Sequence, residues 1–300
     1  MINNTVGVVT GATGGLGLET ARGLAKAGLR VVLVGRNAEK GERALNSIRG
    51  SVADADVTFL RADLSDMDDV RALAGAINNR FDRLDVLVNN AGAIMAKRQL
   101  TKAGLEVTFA TNHLSHFLLT GLLLDLIKAS APARIINVSS DAHKIAKLDP
   151  EDLQSEKRYT SFGTYGVTKL ENLYFTYELA RRLEGSNVTV NALHPGAVAS
   201  NFAMNNGGIS SLAMNVLRPL FMKPEKAAET PIWLSTSPEV EGVTGKYFYK
   251  MREHKPSRQA FDDAKGRALW DKSDQLTGYP YAATLLPASL SRPVDSAAQP

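Results

Sequence analysis

Thr10-Gly11-Ala12-Thr13-Gly14-Gly15-Leu16-Gly17 follows the β-branched run Val6–Val9 and opens a segment in which Leu16, Ala21, Leu24 and Ala25 share one helical face. Glycines let the backbone turn sharply and approach a pyrophosphate. The helix N-terminus behind them offers free N–H groups and a partial positive charge to the anion. A glycine-rich turn kept only for tight packing is the alternative reading. Its place between the first strand and the first helix favours a nucleotide.

The rest of the chain repeats that rhythm. Short apolar runs recur at Val31–Val34, Val57–Leu60, Val86–Val88, Arg134–Val138, Val188–Leu193 and Lys246–Tyr249. Most are continuously apolar, as strands buried on both faces of a parallel sheet are. Segments of helical spacing lie between them, with Leu105, Phe109, Leu114, Phe117 and Leu118 on one face and Leu170, Leu173, Tyr174, Tyr177 and Leu183 on another. Strands alternating with helices predict right-handed crossovers and a doubly wound sheet. Three segments interrupt the alternation: the polar Ala142–Phe162, the apolar Ser200–Lys223, and a tail after Gly278 rich in Pro, Ala and Ser.

Composition narrows the function classes. The 300 residues are 44% hydrophobic and 22% charged, a mix that excludes collagen-like and disordered chains. The net charge is +4 and its cations are scattered, so neither a nucleic-acid stripe nor a polybasic membrane patch is expected. The absence of cysteine removes disulfides, thiol nucleophiles and Cys-ligated zinc. The most apolar stretch, Phe117–Ile127, is 11 residues long, short of the roughly 20 a membrane span requires. No basic region precedes the first apolar run, so neither a signal peptide nor a membrane anchor is expected and the expected location is cytoplasmic. His113, His116, His143, His194 and His254 suggest no metal site.

Gly11, Gly15 and Gly17 fit T-G-x-x-x-G-x-G, Asn89-Asn90-Ala91-Gly92 follows the fourth strand, and Tyr165-Gly166-Val167-Thr168-Lys169 fits Y-x-x-x-K. Ser140 ends the fifth strand, Asn112 lies in the long helix before it, and Pro195-Gly196-Ala197-Val198-Ala199-Ser200 approximates P-G-x-V-x-T. In this order the motifs resemble the short-chain dehydrogenase/reductase family. Thr111–Leu119, Asp152–Tyr159, Glu178–Leu183 and Gly245–Phe248 resemble its retinol dehydrogenase branch. The wide spacing of Ser140 and Tyr165 is shared with that branch. The branch's membrane enzymes carry an N-terminal anchor, whereas here the first strand starts within a few residues of Met1. The resemblance implies one α/β domain over 1–278, a Rossmann-type sheet of about seven parallel strands flanked by helices. It also implies a substrate loop near 200–223 and a separate tail over 279–300.

The residues carry their own chemistry. Tyr165 and Lys169 are i,i+4 on a helix and share a face. A lysine cation nearby favours phenolate, which predicts a lowered tyrosine pKa and a usable acid/base. Ser139 and Ser140 leave the carboxyl edge of the sheet, where a hydroxyl can bond a carbonyl oxygen as charge develops on it. The family register assigns that role to Ser140, and it implies that Asn112 supports a proton relay through water and Lys169. It further implies cofactor contacts by Thr13, Leu16, Asp63, Leu64, Asn90, Ala91, Gly92, Tyr165, Lys169, Pro195, Gly196, Val198 and Ser200. Asp63 has a second reading as a cap for the helix that starts near Ser65.

At the end of the second strand stands Val34-Gly35-Arg36-Asn37. An acid there would accept from a ribose 2′-hydroxyl. Arg36 instead offers a cationic fork to a 2′-phosphate, which predicts NADP(H) over NAD(H). The expected function is hydride transfer between NADP(H) and a carbonyl or alcohol, with a lipophilic ketone or aldehyde as substrate. The rivals are a catalytically silent nucleotide-binding scaffold or sensor, and a protochlorophyllide reductase-like enzyme, which would use a cysteine this chain lacks. The helices carrying Asn112 and Tyr165 are the family's usual oligomer faces, so a homo-oligomer and a monomer both stay open.

Overall fold

The computed structural model describes residues 4–197 and 222–281. The strands are β1 (Val6–Thr10), β2 (Arg30–Gly35), β3 (Val57–Arg61), β4 (Val86–Asn89), β5 (Ala133–Val138), β6 (Val188–Leu193), β7 (Tyr247–Tyr249) and β8 (Arg252–Glu253). They form one sheet in the order β3-β2-β1-β4-β5-β6-β7-β8, and every pair is parallel except β7–β8. The order reverses between β1 and β4, which is the switch point where such sheets bind ligands at their carboxyl edge. The antiparallel β8 is one strand more than the sequence predicts. Two residues give no alternation to read.

Helices α1 (Gly15–Lys26), α2 (Ala38–Arg49) and α3 (Met67–Arg80) follow the first three strands. The long segment before β5 is broken into α4 (Val107–Phe109), a π turn at Ala110–Leu114, α5 (Ser115–Leu122) and α6 (Leu124–Ala129). Then come α7 (Ser161–Arg182), α8 (Pro224–Thr236) and α9 (Asp263–Thr277).

Alternate residues of each central strand feed different cores. Val8, Val32, Val34 and Ile135 pack on the α3–α5–α7 side. Val9, Val31, Leu33 and Ile136 pack on the α1–α2 side. This two-sided burial explains the continuous apolar runs. One polar ladder crosses the centre. Asn89 Nδ2 donates to Thr120 Oγ1 and to Asn137 Oδ1, both at 2.9 Å, and Asn137 Nδ2 donates to Thr176 Oγ1 at 2.9 Å. It ties α5, β4, β5 and α7 into one buried unit.

The outer faces of α5 and α7 are covered by the chain itself. The Trp270 ring on α9 lies 5.0 Å from Phe117 and 5.9 Å from Phe175, and the Tyr281 hydroxyl donates to the Phe117 carbonyl at 2.7 Å. Each buried aromatic contributes on the order of 3 kcal/mol. Tyr279 and Tyr281, which the sequence reading assigns to the tail, therefore pack with the domain.

Candidate active site

The glycine turn is built by close approach. Gly11 has φ +65, and a Cβ there would meet Ala91 Cα at 2.9 Å. A Cβ on Gly17 would lie 2.4 Å from the Gly11 oxygen and 2.5 Å from Asn90 Nδ2. Thr10 locks the turn to the segment after β4. Its Oγ1 accepts from the Asn90 and Ala91 N–H groups at 2.9 and 3.0 Å, and Asn90 Nδ2 donates to the Thr10 carbonyl at 2.7 Å. Thr10 sits inside the decisive stretch, yet the sequence reading passes over it because a threonine ending a strand carries no distinguishing signal.

The N-terminus of α1 has no side-chain cap and no acid in its first turn, whereas Asn37 caps α2 and Asp66 caps α3. The N–H groups of Gly15, Leu16 and Gly17 are those a helix cannot use internally. They face the crevice with a partial positive charge, an arrangement that fits a pyrophosphate. Thr13 lies against Gly35, where a Cβ would meet its Cγ2 at 2.6 Å, and this contact places the turn beside Arg36. Arg36 is exposed and makes no hydrogen bond or ion pair among the described residues. The pieces present fit a nicotinamide dinucleotide's pyrophosphate.

Asp63 behaves as a turn cap. Its Oδ1 accepts from the Ser65 N–H at 3.0 Å and the Ser65 hydroxyl at 2.8 Å, while its own N–H donates to Asp69 Oδ2 at 2.9 Å. Oδ2 of Asp63 accepts nothing among the described residues, so the two readings of this aspartate are compatible. The Leu64 side chain is core, which leaves only its backbone for the crevice. Pro195 and Gly196 follow β6, and Gly196 has φ +92. Val198, Ser200 and the expected substrate loop up to Phe221 lie outside the described residues.

Ser139 and Ser140 leave β5 with different tasks. The buried Ser139 hydroxyl donates to the Lys169 carbonyl at 2.7 Å, a structural bond. The Ser140 hydroxyl accepts from the Ala142 N–H at 3.2 Å and hydrogen-bonds Tyr165. Lys169 is 2% exposed. Its Nζ donates to the Val138 carbonyl at 3.0 Å and lies 5.5 Å from the Tyr165 ring centroid. Asn172 Nδ2 reaches the same carbonyl at 3.3 Å.

Burial shapes the titration of both groups. It pushes the Tyr165 phenol up to about 12, with the Ser140 hydrogen bond pulling the other way, and it pulls the Lys169 ammonium down to about 7. The lowered phenol expected from the lysine is therefore not found. Lost solvation dominates for both side chains, and the ammonium is directed at a backbone carbonyl.

Asn112 sits within the π turn and is fully buried. Its Oδ1 accepts from the Ala93 N–H at 2.6 Å, and its Nδ2 donates to the Ala93 carbonyl and to Thr168 Oγ1, both at 2.9 Å. Single π turns inside helices recur at functional sites. The polar insertion is pinned beside these groups through His143. Its Nδ1 donates to the Ser140 carbonyl at 2.6 Å and its Nε2 accepts from the Ser257 N–H at 3.1 Å, which defines one neutral tautomer. The sequence reading gives Thr168 and His143 no part in the site, because both owe their roles to contacts distant in the chain. Among the described residues, no group of three His, Cys, Asp or Glu side chains is arranged to hold a metal.

Residues 5–208 match the family profile described as short chain dehydrogenase. Mouse retinol dehydrogenase 13 is 43% identical over 277 residues, covering 90% of this chain and 83% of that protein. Mouse retinol dehydrogenase 12 is 41% identical, covering 92% and 87%. Human polyprenol dehydrogenase is 38% identical, covering 91% and 85%. Among solved structures, a protein from Mycobacterium paratuberculosis superposes with a TM-score of 0.73 at 32% identity, covering 92% of this chain and 94% of that one. An actinorhodin polyketide ketoreductase variant solved with NADPH gives 0.66 at 26% identity, covering 83% and 96%.

Proposed function

The chain belongs to the short-chain dehydrogenase family, and from that premise we propose that it is an NADP(H)-dependent reductase of lipophilic ketones or aldehydes. The observation that carries the reading is the Ser140–Tyr165 hydrogen bond at the carboxyl edge of the sheet, with the Lys169 ammonium beside the tyrosine ring. Two hydroxyls joined there can both reach one carbonyl oxygen. In reduction the Tyr165 O–H gives its proton to that oxygen, and Ser140 donates a hydrogen bond to it as negative charge develops. A bound NADPH supplies the hydride. Lys169 would hold the cofactor's ribose, and it carries its charge next to the Tyr165 ring. Asn112 keeps the Gly92–Ala93 backbone in place.

Arg36, exposed and unpaired among the described residues, supports the NADP(H) preference. The apolar Ile145 and Phe162, 69% and 55% exposed beside the site, support a lipophilic substrate. So do the names of the retinol and polyprenol dehydrogenases, relatives named for apolar alcohols. The covering of α5 and α7 by α9 supports a monomer.

The test is a fluorescence titration with NADPH and NADH, followed by NADPH oxidation in the presence of apolar aldehydes. Tight NADPH, weak NADH and aldehyde-dependent turnover are expected. Binding of neither cofactor would replace this reading with the scaffold alternative.

A further inference from the structure

The β7–β8 hairpin leaves the sheet at the carboxyl edge, from which Ser140 and Gly196 also leave. Its turn residues Lys250 and Met251 have φ +51 and +59. A two-residue hairpin turn needs that left-handed conformation and usually takes Asn or Gly for it. Here it presents Met251, 39% exposed, at the tip. Around the tip, Lys250, Arg252, Lys255 and Arg258 are exposed, and none of them meets an acid among the described residues. The nearby acids are already engaged: Glu253 pairs with Lys246 at 3.1 Å and Asp141 with Lys144 at 2.9 Å.

The hairpin is held firmly to the catalytic edge. Tyr249 stacks on His194 with centroids 5.0 Å apart, and the Ser257–His143 bond ties the following turn to the insertion. That insertion carries the exposed Ile145, and the exposed Phe162 ring lies 6.2 Å from Tyr165. Three exposed apolar side chains and four cations that meet no acid among the described residues, one of them (Lys250) lying over the Tyr249 ring, thus share one end of the molecule. No two of the four cations are adjacent in sequence, so a scan for basic runs misses them.

We propose that this end of the protein docks on an anionic phospholipid bilayer. The hairpin cations meet the headgroups, and Met251, Ile145 and Phe162 enter the interfacial layer. Cations supply attraction to an anionic surface and apolar tips supply insertion; a nucleic acid would draw on the first alone. Docking in this orientation turns the mouth of the site toward the lipid, from which an apolar substrate enters without crossing water. That consequence rests on the reductase reading, whereas docking itself does not.

The test is sedimentation of the full chain with phosphatidylcholine vesicles, with and without phosphatidylserine. Binding is expected only with phosphatidylserine and weakens as salt rises from about 0.1 M to about 0.5 M. With about fivefold per basic residue, Lys250→Glu, Arg252→Glu, Lys255→Glu and Arg258→Glu together weaken it by at least roughly 600-fold. Met251→Asp weakens it roughly tenfold by removing the apolar tip. Reduction of a small water-soluble aldehyde is unchanged in both variants. Should the charge-reversed chain fail to fold, the same four positions changed to Gln give the same comparison. No phosphatidylserine-dependent binding, equal binding by the variants, or preference for a DNA duplex over vesicles overturns the proposal. Vesicle binding is read without turnover, so its failure leaves the reductase reading intact.

Discussion

Asn112 grips both polar groups of Ala93, accepting its N–H at 2.6 Å and donating to its carbonyl at 2.9 Å. The π turn around Asn112 makes this possible by inserting one residue into the helical repeat, which redirects the amide toward the loop after β4. Through the bond to Thr168, the same amide reaches the helix that carries Tyr165 and Lys169. One side chain therefore couples the loop after β4 to the helix that carries Tyr165 and Lys169.

Replacing Asn112 with Leu leaves the partly buried Ala93 N–H and carbonyl without the amide that satisfies them. The expected cost is about 3 kcal/mol, read as a fall in melting temperature of roughly 6–10 °C. Thr168→Ala removes two bonds, the one accepted from Asn112 and the one donated to the Tyr165 carbonyl, and costs about 1–2 kcal/mol. An unchanged melting temperature in Asn112→Leu contradicts the clamp.

Gly17→Ala puts a methyl group against the Gly11 carbonyl and Asn90 Nδ2. Asn90 is held in place by Thr10 and in turn reaches the Gly11 carbonyl at 3.4 Å, so the turn must open. A stability loss of about 1–3 kcal/mol is expected, together with loss of NADPH affinity in the fluorescence titration. Gly14, where a Cβ meets nothing within 4 Å, is the control. Gly14→Ala folds with nearly normal stability.

Arg36→Asp removes a cation and adds an anion where a 2′-phosphate would sit. NADPH binding weakens on the order of 100-fold, while NADH changes by about threefold or less. Equal loss of both cofactors in side-by-side titrations removes Arg36 from phosphate recognition.

The pH dependence follows from the enclosed pair. Lys169, lowered to about 7, is cationic below that pH and neutral above it, while Tyr165, raised to about 12, keeps its proton across the working range. The kcat/KM of reduction, which reports the free enzyme, therefore declines as pH rises through about 7. Tyr165 adds no second decline below pH 10. Lys169→Met abolishes the dependence near 7 along with most of the activity. A profile flat from pH 6 to 9 contradicts this assignment of charge.

Much of the architecture was legible in the amino-acid order for a physical reason. Strands such as Val31–Val34 are buried on both faces, so they read as unbroken apolar runs, and the order of glycine turn, Ser140 and Tyr165-x-x-x-Lys169 fixes where the edge chemistry lies. The π turn at Ala110–Leu114 was not legible, because apolar positions continue through it with little change of spacing. The docking of Tyr279 and Tyr281 was hidden by the composition of the tail that follows them. The raised phenol of Tyr165 depends on enclosure by several elements, which local sequence does not encode. Family resemblance supplied Asn112 as a site residue, and the structure supplied its bonds to Ala93 and Thr168.

The measurement that tests the account most directly is NADPH-dependent reduction of an apolar aldehyde by the wild-type chain and by Tyr165→Phe, with NADPH affinity measured on both. The variant removes one hydroxyl from a ring that otherwise keeps its place. The account predicts a fall in kcat of at least about 10²-fold, the usual contribution of a positioned acid, with NADPH affinity within about threefold. Turnover retained at more than about a tenth of the wild-type rate contradicts the assignment of Tyr165 as the proton donor.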